Sequence, residues 1–252
     1  MENKNAKIND FVNRSFRDVA DKDYIAARIS HRYGLDQQFL WFAEQALEKY
    51  LKAILLYNRL STKHLNHHLF DAYSAVLAIP DIPFDFPADV VAFVKYIYAQ
   101  GPNRYFEYPY YLLGEECLQL DRTVWHIRRY CYQMRTSVKK QDGSTVELFP
   151  FEVKKVQHET TIKKPHKYTL FGGFLEKVLK DKSSDLRKQL IWKNFYYGTY
   201  KKEIIKNYAH RPTSANPTHF LHPDAFDELD KLVKFSKVVR QRFRQGRNRR
   251  TI

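Results

Sequence analysis

Three groups of residues in this chain have types and spacing suited to chemistry. In "WFAEQALEKYLKAILLYNRL" (residues 41–60), Glu44, Glu48 and Lys52 follow one another at intervals of four. On a helix that interval stacks them along one face, where carboxylates and an ammonium group can pair. The plain alternative for such a row is a solvated stripe of little energetic consequence. The second group, "WKNFYYGTYKKEIIKNY", joins Trp192, Phe195, Tyr196, Tyr197 and Tyr200 to Lys193, Lys201, Lys202 and Lys206. Rings interleaved with lysines offer a single nucleic-acid strand both stacking and phosphate contacts. The same residues also suit an amphipathic core helix with snorkelling lysines. The third group is the C-terminal "KVVRQRFRQGRNRRTI", with Arg240, Arg242, Arg244, Arg247, Arg249 and Arg250 around Phe243 and Gly246. Such a run neutralises several phosphates with salt-dependent affinity. Its guanidinium groups also stack on bases.

The charge of the whole chain has the same asymmetry. Of the 252 residues, 1–134 hold 16 Lys+Arg and 16 Asp+Glu, so they are neutral. Residues 135–252 hold the other 27 basic and 12 acidic residues and carry the entire +15. Lys154, Lys155, Lys163, Lys164 and Lys167 contribute, interleaved with Phe151, His166 and Tyr168. A neutral half joined to a basic half points to two functional parts, the second facing an anionic partner. Nucleic acid is the first candidate and an acidic membrane surface the second. The 18 Tyr and 18 Phe argue against disorder over most of the length. Two cysteines, Cys117 and Cys131, neither build a disulfide framework nor cluster as zinc ligands. No metal or cofactor is expected, and a reducing cytoplasm is the simplest setting. No apolar run approaches the roughly 20 residues of a membrane span, and "MENKNAKIND" lacks the apolar core of a signal peptide.

These groups must be positioned by helices. "NDFVNRSFRDVADKDYIAARISHRYG" has apolar residues at helical spacing and stops at Gly34. Asp36 is placed to cap the next helix, which runs from Gln37 to about Tyr57 with an apolar face from Phe39 to Leu55. Further helices are expected at about 65–79, 87–100 and 108–134, separated by "IPDIPFDFP" and "QGPNRYFEYP". Five helices with short links make an antiparallel bundle. Beyond Met134 the alternation at Thr145–Val153, with an echo near 159–163, predicts short strands and a small hairpin. Residues 170–197 are helical in pattern around "GG" at 172–173. "RPTSANPTHFLHP" reads as a loop, and Pro223 opens a helix that runs on into the arginine-rich end. The expected fold is therefore mainly α: a bundle at 10–134, then a basic, mostly helical extension at 135–252 with one small hairpin.

The first half resembles the HEPN family of helical bundles. "DYIAAR" (Asp23–Arg28) is similar to the family's first helix, and "AEQALEKYLKAILL" (Ala43–Leu56) follows its signature helix nearly position by position. "HHLFDAY" (His67–Tyr73) resembles the His-Asp-Leu box, with His68 and Leu69 where Asp and Leu are usual. "NRYFEYP" (Asn103–Pro109) resembles the Arg-Tyr-Pro element that opens the last bundle helix. The resemblance implies a homodimer and a polar cleft where protomers meet. There Arg104, Glu44, Glu48 and Lys52 would hold a phosphate or nucleotide. The competing role for Arg104 is structural, tying a loop to a helix C-terminus. His67 and His68 are expected to pack or cap.

Many members of the family resemble metal-independent ribonucleases that use an Arg, four to six residues, then a His. Histidine deprotonates the RNA 2′-hydroxyl and arginine stabilises the charged phosphorane. This chain departs from that motif, since Pro109, Tyr110 and Tyr111 stand where the His should follow Arg104. Two other pairs come near the spacing: Arg59 with His64, and Arg122 with His126. Tyr108, Tyr110 and Tyr111 have ordinary pKa values near 10, which makes them poor bases. The leading expectation is an RNA- or nucleotide-binding protein without the catalytic pair. One alternative is a ribonuclease of the toxin or phage-defence type that uses a relocated pair. The other is an interaction module for a nucleotidyltransferase-like partner, as the resemblance also implies.

Overall fold

The computed structural model describes residues 2–100, 106–198 and 212–248. The chain is mainly helical. Helix α1 (Glu2–Val12) passes through a π-helical segment, Asn13–Arg17, into α2 (Asp18–Arg32). The amides of Gly34 and Leu35 close α2 by bonding to the carbonyls of His31 and Ser30, so it stops where expected. Helix α3 (Asp36–Tyr57) starts one residue before the expected Gln37. Asp36 lies inside it rather than capping it, and Leu35 holds the cap position with no side-chain bond. The carboxylate of Asp36 instead accepts from Thr213 Oγ1 at 3.0 Å.

Alanines give α3 its close approach to α2. Ala43, Ala46 and Ala53 are fully buried, and Phe39, Leu47, Tyr50, Leu51 and Ile54 fill the space around them. Helices α4 (Leu69–Leu77), α5 (Ala88–Gln100) and α6 (Glu116–Arg128) complete the bundle. The last helix is shorter than expected. The Glu116 carboxylate takes the amides of Leu113 and Gly114 (2.5 and 2.8 Å) and fixes the entry turn. Strand β1 (Tyr110–Leu112) precedes that turn.

Beyond the bundle, β2 (Ser137–Lys139) and β3 (Thr145–Glu147) form the predicted hairpin. Its partner strand is upstream, not at 159–163, because "DGS" at 142–144 makes the turn. There Asp142 accepts from the Ser144 amide at 2.8 Å. Residues 159–163 form helix α8 (Glu159–Lys163) behind α7 (Phe149–Gln157), which has Pro150 in its first turn. Helices α9 (Phe174–Lys180) and α10 (Asp185–Ile191) follow, and β4 (Thr213–Ala215) pairs antiparallel with β1. The expected loop at 211–223 thus contributes a strand. Short α11 (Thr218–Leu221) leads through a 3₁₀ turn, Pro223–Ala225, to α12 (Phe226–Leu232). The expected single terminal helix is broken: Val233 is extended and α13 (Lys237–Asn248) starts afresh. Ser236 makes the new start by accepting from the Val239 amide at 3.4 Å.

One apolar core runs from Val12 to Tyr197 and includes Val156, Leu170, Leu175, Val178 and Leu190. The neutral and basic halves therefore share packing as far as residue 198. At the centre of that core sits an exchange of ions between two antiparallel helices. Asp21 and Arg28 are seven residues apart on α2, and Asp121 and Arg128 are seven apart on α6. Arg128 grips Asp21 with two bonds, 2.7 and 2.9 Å, and Arg28 bonds Asp121. Tyr50 and Tyr24 donate to Asp21 and Asp121, both at 2.6 Å. The C-terminal half completes both arginines. Glu176 takes Arg128 at 2.9 and 2.7 Å, and the carbonyls of Gln189 and Trp192 take Arg28.

Among the described residues no helix is long and apolar enough to cross a membrane.

Replacing Arg128 by Met should cost about 3–5 kcal/mol, because Asp21 and Glu176 would remain buried without a cation. Urea denaturation monitored by circular dichroism measures it. Burial works against ionisation of Glu176, but Arg128 and the Leu170 amide outweigh it and hold its carboxyl below the usual 4.5. Its contribution is then complete above pH 4.5 and lost as pH falls through the lower folded value. Glu176→Gln should flatten that acid limb of the stability curve, measured by melting temperature against pH.

Candidate functional site

Glu44 and Glu48 are not a solvated stripe. Both are buried, 4% and 3% exposed. Glu48 Oε1 accepts from Lys52 Nζ at 2.6 Å and stands 3.3 Å from His67 Nδ1. Lys52 also donates to the Asn66 carbonyl. Together these contacts bind α3 to the turn that precedes α4. The other oxygen of Glu48 is buried with no hydrogen-bond partner among the described residues. A buried carboxylate oxygen in that state can accept a hydrogen bond from a ligand. His67 is exposed, and His68 sits at the cap of α4 without a side-chain cap bond, so the histidines neither pack nor cap as expected.

The near-miss Arg–His pairs serve other ends. Arg59, with φ of 60°, closes the C-terminus of α3. Its guanidinium donates to the Leu56 carbonyl at 3.1 Å and to Asn9 Oδ1 at 2.8 Å. His64 is exposed, and no hydrogen bond joins it to Arg59 among the described residues. Arg122 lies 2.5 Å from Asp89 and donates to Tyr196 Oη at 3.2 Å. His126 is buried, and burial pushes its pKa down to about 3, aided by Arg129 and Arg122. Its ring is therefore neutral at neutral pH and too weak a base for efficient proton abstraction there. Tyr110 is no better, since burial, with Asp36 adding to it, raises its pKa.

The basic half divides into used and presented charges. Tyr197 is 6% exposed and packs 5.9 Å from Tyr24, and Tyr196 packs 5.7 Å from Trp125. These two rings belong to the core and not to a stacking platform. Lys193 lies over the Trp192 ring at 5.2 Å, as does Arg32 at 5.0 Å. Helix α13 has one apolar face, not charge on every side. Phe235, Val239 and Phe243 follow at intervals of four and pack with Phe226 in a second small core, where Phe243 stacks on Phe226 at 4.0 Å. Arg240 is drawn to Asp230 at 2.9 Å. Lys237, Gln241 and Arg242 are exposed.

This second core is built on the segment that follows Arg104. Tyr108 bonds Ser236 at 3.0 Å, Glu107 accepts the Ser236 amide at 3.2 Å, and the Glu107 carbonyl meets His219 Nε2 at 3.0 Å. Arg242 lies over the Tyr108 ring at 5.5 Å. The β1–β4 pairing fixes the same segment from the other side. The structure thus brings the start of the arginine-rich helix against Glu107 and Tyr108. The terminal arginines and the Arg104 loop are far apart in sequence, and only His219, Phe226 and Phe235 hinted that the end was not a free tail. Arg104, Lys201, Lys202, Arg249 and Arg250 lie outside the described residues, while Arg244 and Arg247 lie within α13.

Among the described residues no group of three or more His, Cys, Asp or Glu could hold a metal ion. Cys117 and Cys131 are buried free thiols, and burial raises the pKa of Cys131. Comparison with protein-family models, with characterised proteins and with solved structures finds no match to this chain.

Phe243→Ala removes the ring stacked on Phe226 and should release α13. Trypsin cleavage between Lys237 and Arg242 is expected to speed up about tenfold or more. Mass spectrometry of a limited digest measures it, with cleavage elsewhere unchanged.

Proposed function

We propose that this chain is a HEPN-like bundle that binds RNA or a nucleotide, with α13 as its electrostatic arm and without the usual Arg–His pair. The observation that carries this reading is the docking of α13. Its apolar face is seated on the Phe226 core beside Glu107 and Tyr108, and Arg242 stays exposed. Lys237 and Arg242 are thus presented from a seated helix, beside the segment that resembles the family's Arg-Tyr-Pro element, and not from a loose polycation. Phosphates neutralised there release counterions, which is the main source of such affinity. The bundle supports the reading in its order of elements: α2, the signature helix α3, short α4, then the Asn103–Pro109 segment before α6. Buried Glu48, with its neighbours Lys52 and His67, supplies a polar cluster for a ligand of the bundle. Exposed Tyr33, Leu35 and Trp41, around the α2–α3 turn, supply an apolar surface for the homodimer. A nuclease is less well supported, because Arg122 is engaged by Asp89 and His126 is a weak, buried base.

End-labelled single-stranded RNA in EDTA, titrated at two salt concentrations, tests the proposal. The RNA should shift intact and be released by salt. Changing Arg242, Arg244 and Arg247 together to Gln should weaken binding about tenfold or more. The log–log salt slope should become shallower by roughly 0.7 per arginine. No shift at low salt would overturn the reading, and cleavage of the labelled RNA that persists through further purification of the protein would replace it with nuclease activity.

A further inference from the structure

Phe171 is the most exposed large apolar side chain of the described chain, with its whole surface in water. The loop around it is nevertheless fixed. The Leu170 amide donates to Glu176 at 2.9 Å, the Gly172 carbonyl accepts from Arg17 at 3.3 Å, and Leu170 itself is buried. Gly172 turns the chain with φ of 68°, a conformation that favours glycine. At Gly173 a Cβ would lie 2.0 Å from Glu176 and 2.7 Å from Arg128, so the backbone there lies directly against the buried ion pair. The central ionic network thus holds the ring out into solvent.

Two cavities share that residue in their lining. The larger, about 630 Å³, is lined by Phe171, Lys177, Lys180 and Arg187. The smaller, about 430 Å³, shares Phe171, Gly172 and Lys177 and is closed by Arg14 and Arg17. In the smaller one both arginines are matched, Arg14 with Asp10 and Arg17 with Asp18. In the larger they are not. Its carboxylate, Glu176, is taken by Arg128. Lys177 and Lys180 are exposed and make no ion pair among the described residues. Arg187 is held through Nε alone, by the Leu179 carbonyl at 3.0 Å. An exposed flat ring that borders the same cavity as three uncompensated cations is complementary to one nucleotide unit, with the base on the ring and the phosphate on the cations.

We propose that Phe171 with Lys177, Lys180 and Arg187 forms a second nucleotide-unit site, separate from α13. The inference rests on the RNA- or nucleotide-binding reading and gives it a stacking residue. The ligand is either one unit of a single strand or a free nucleotide, which share this chemistry.

The test is fluorescence anisotropy with a short labelled single-stranded RNA in EDTA, with unlabelled nucleoside monophosphates as competitors. Phe171→Ala should weaken RNA binding about tenfold without moving the melting temperature, since the ring touches water alone. Phe171→Trp should restore or tighten it. The double variant K177Q/K180Q should weaken it with a shallower salt slope. Competition by monophosphates that disappears in Phe171→Ala assigns the site to a free nucleotide, and its absence assigns it to a strand. Unchanged affinity in Phe171→Ala overturns the site. If the α13 arginine variant still weakens binding, the RNA reading survives that failure. If the native protein binds neither probe, both fall.

Discussion

The crossed ion exchange between α2 and α6 is the constraint on which the rest of the structure depends. Each helix carries an acid and an arginine two turns apart, about 10 Å along the axis. Because the helices are antiparallel, the acid of one meets the arginine of the other at both levels. A parallel arrangement, or a slip by one turn, would place like charges together or leave them unpaired in a dry core. Buried pairs of this kind add little net stability over an apolar core, but breaking one is costly. Here they fix helix direction and register.

The exchange is incomplete within the bundle, which explains why the basic half folds back on it. A guanidinium carries five donors, and Asp21 and Asp121 do not use them all. Glu176 from α9 and the carbonyls that end α10 take the remaining contacts. Asn194 extends the arrangement, donating to Tyr24 at 2.8 Å and accepting the amides of Tyr196 and Tyr197. The segment 170–197 is therefore held at its polar contacts, while Lys177, Lys180, Lys182 and Lys188 face solvent. The π-helical turn at Asn13–Arg17 belongs to the same packing. It buries Arg17 with its guanidinium on Asp18 and the Gly172 carbonyl.

Charge in this protein thus has two separate roles. Acid–arginine pairs organise the interior and are neutralised there. Among the described residues, cations left exposed by the packing include Lys177 and Lys180 on α9 and Lys237 and Arg242 on α13. Surface cations of that kind raise the local concentration of an anionic partner and speed its encounter. A second small core around Phe226, His219 and Phe243 gives α13 a defined place to act from.

Much of the fold was legible in the sequence. The apolar period of α3, the Gly34 stop, the bundle order and the location of the excess charge all follow from residue type and spacing, because local helix geometry and solvation set them. The hairpin was legible too, though its true partner lay behind the "DGS" turn and not after it. The identity of the chemical groups was less legible. Arg28 and Arg128 look like any surface arginine until a second helix brings Asp121 and Asp21 to them. Arg122 and His126 look like a catalytic pair until Asp89 and burial remove that capacity. Phe171 looks like one more core aromatic until the loop around it is anchored on both sides. Sequence by itself determined that the first half is built of helices in this order and how much positive charge the chain carries. Only the tertiary structure decided which charges are neutralised inside and which remain for a ligand, because that depends on partners from distant segments meeting at hydrogen-bond range.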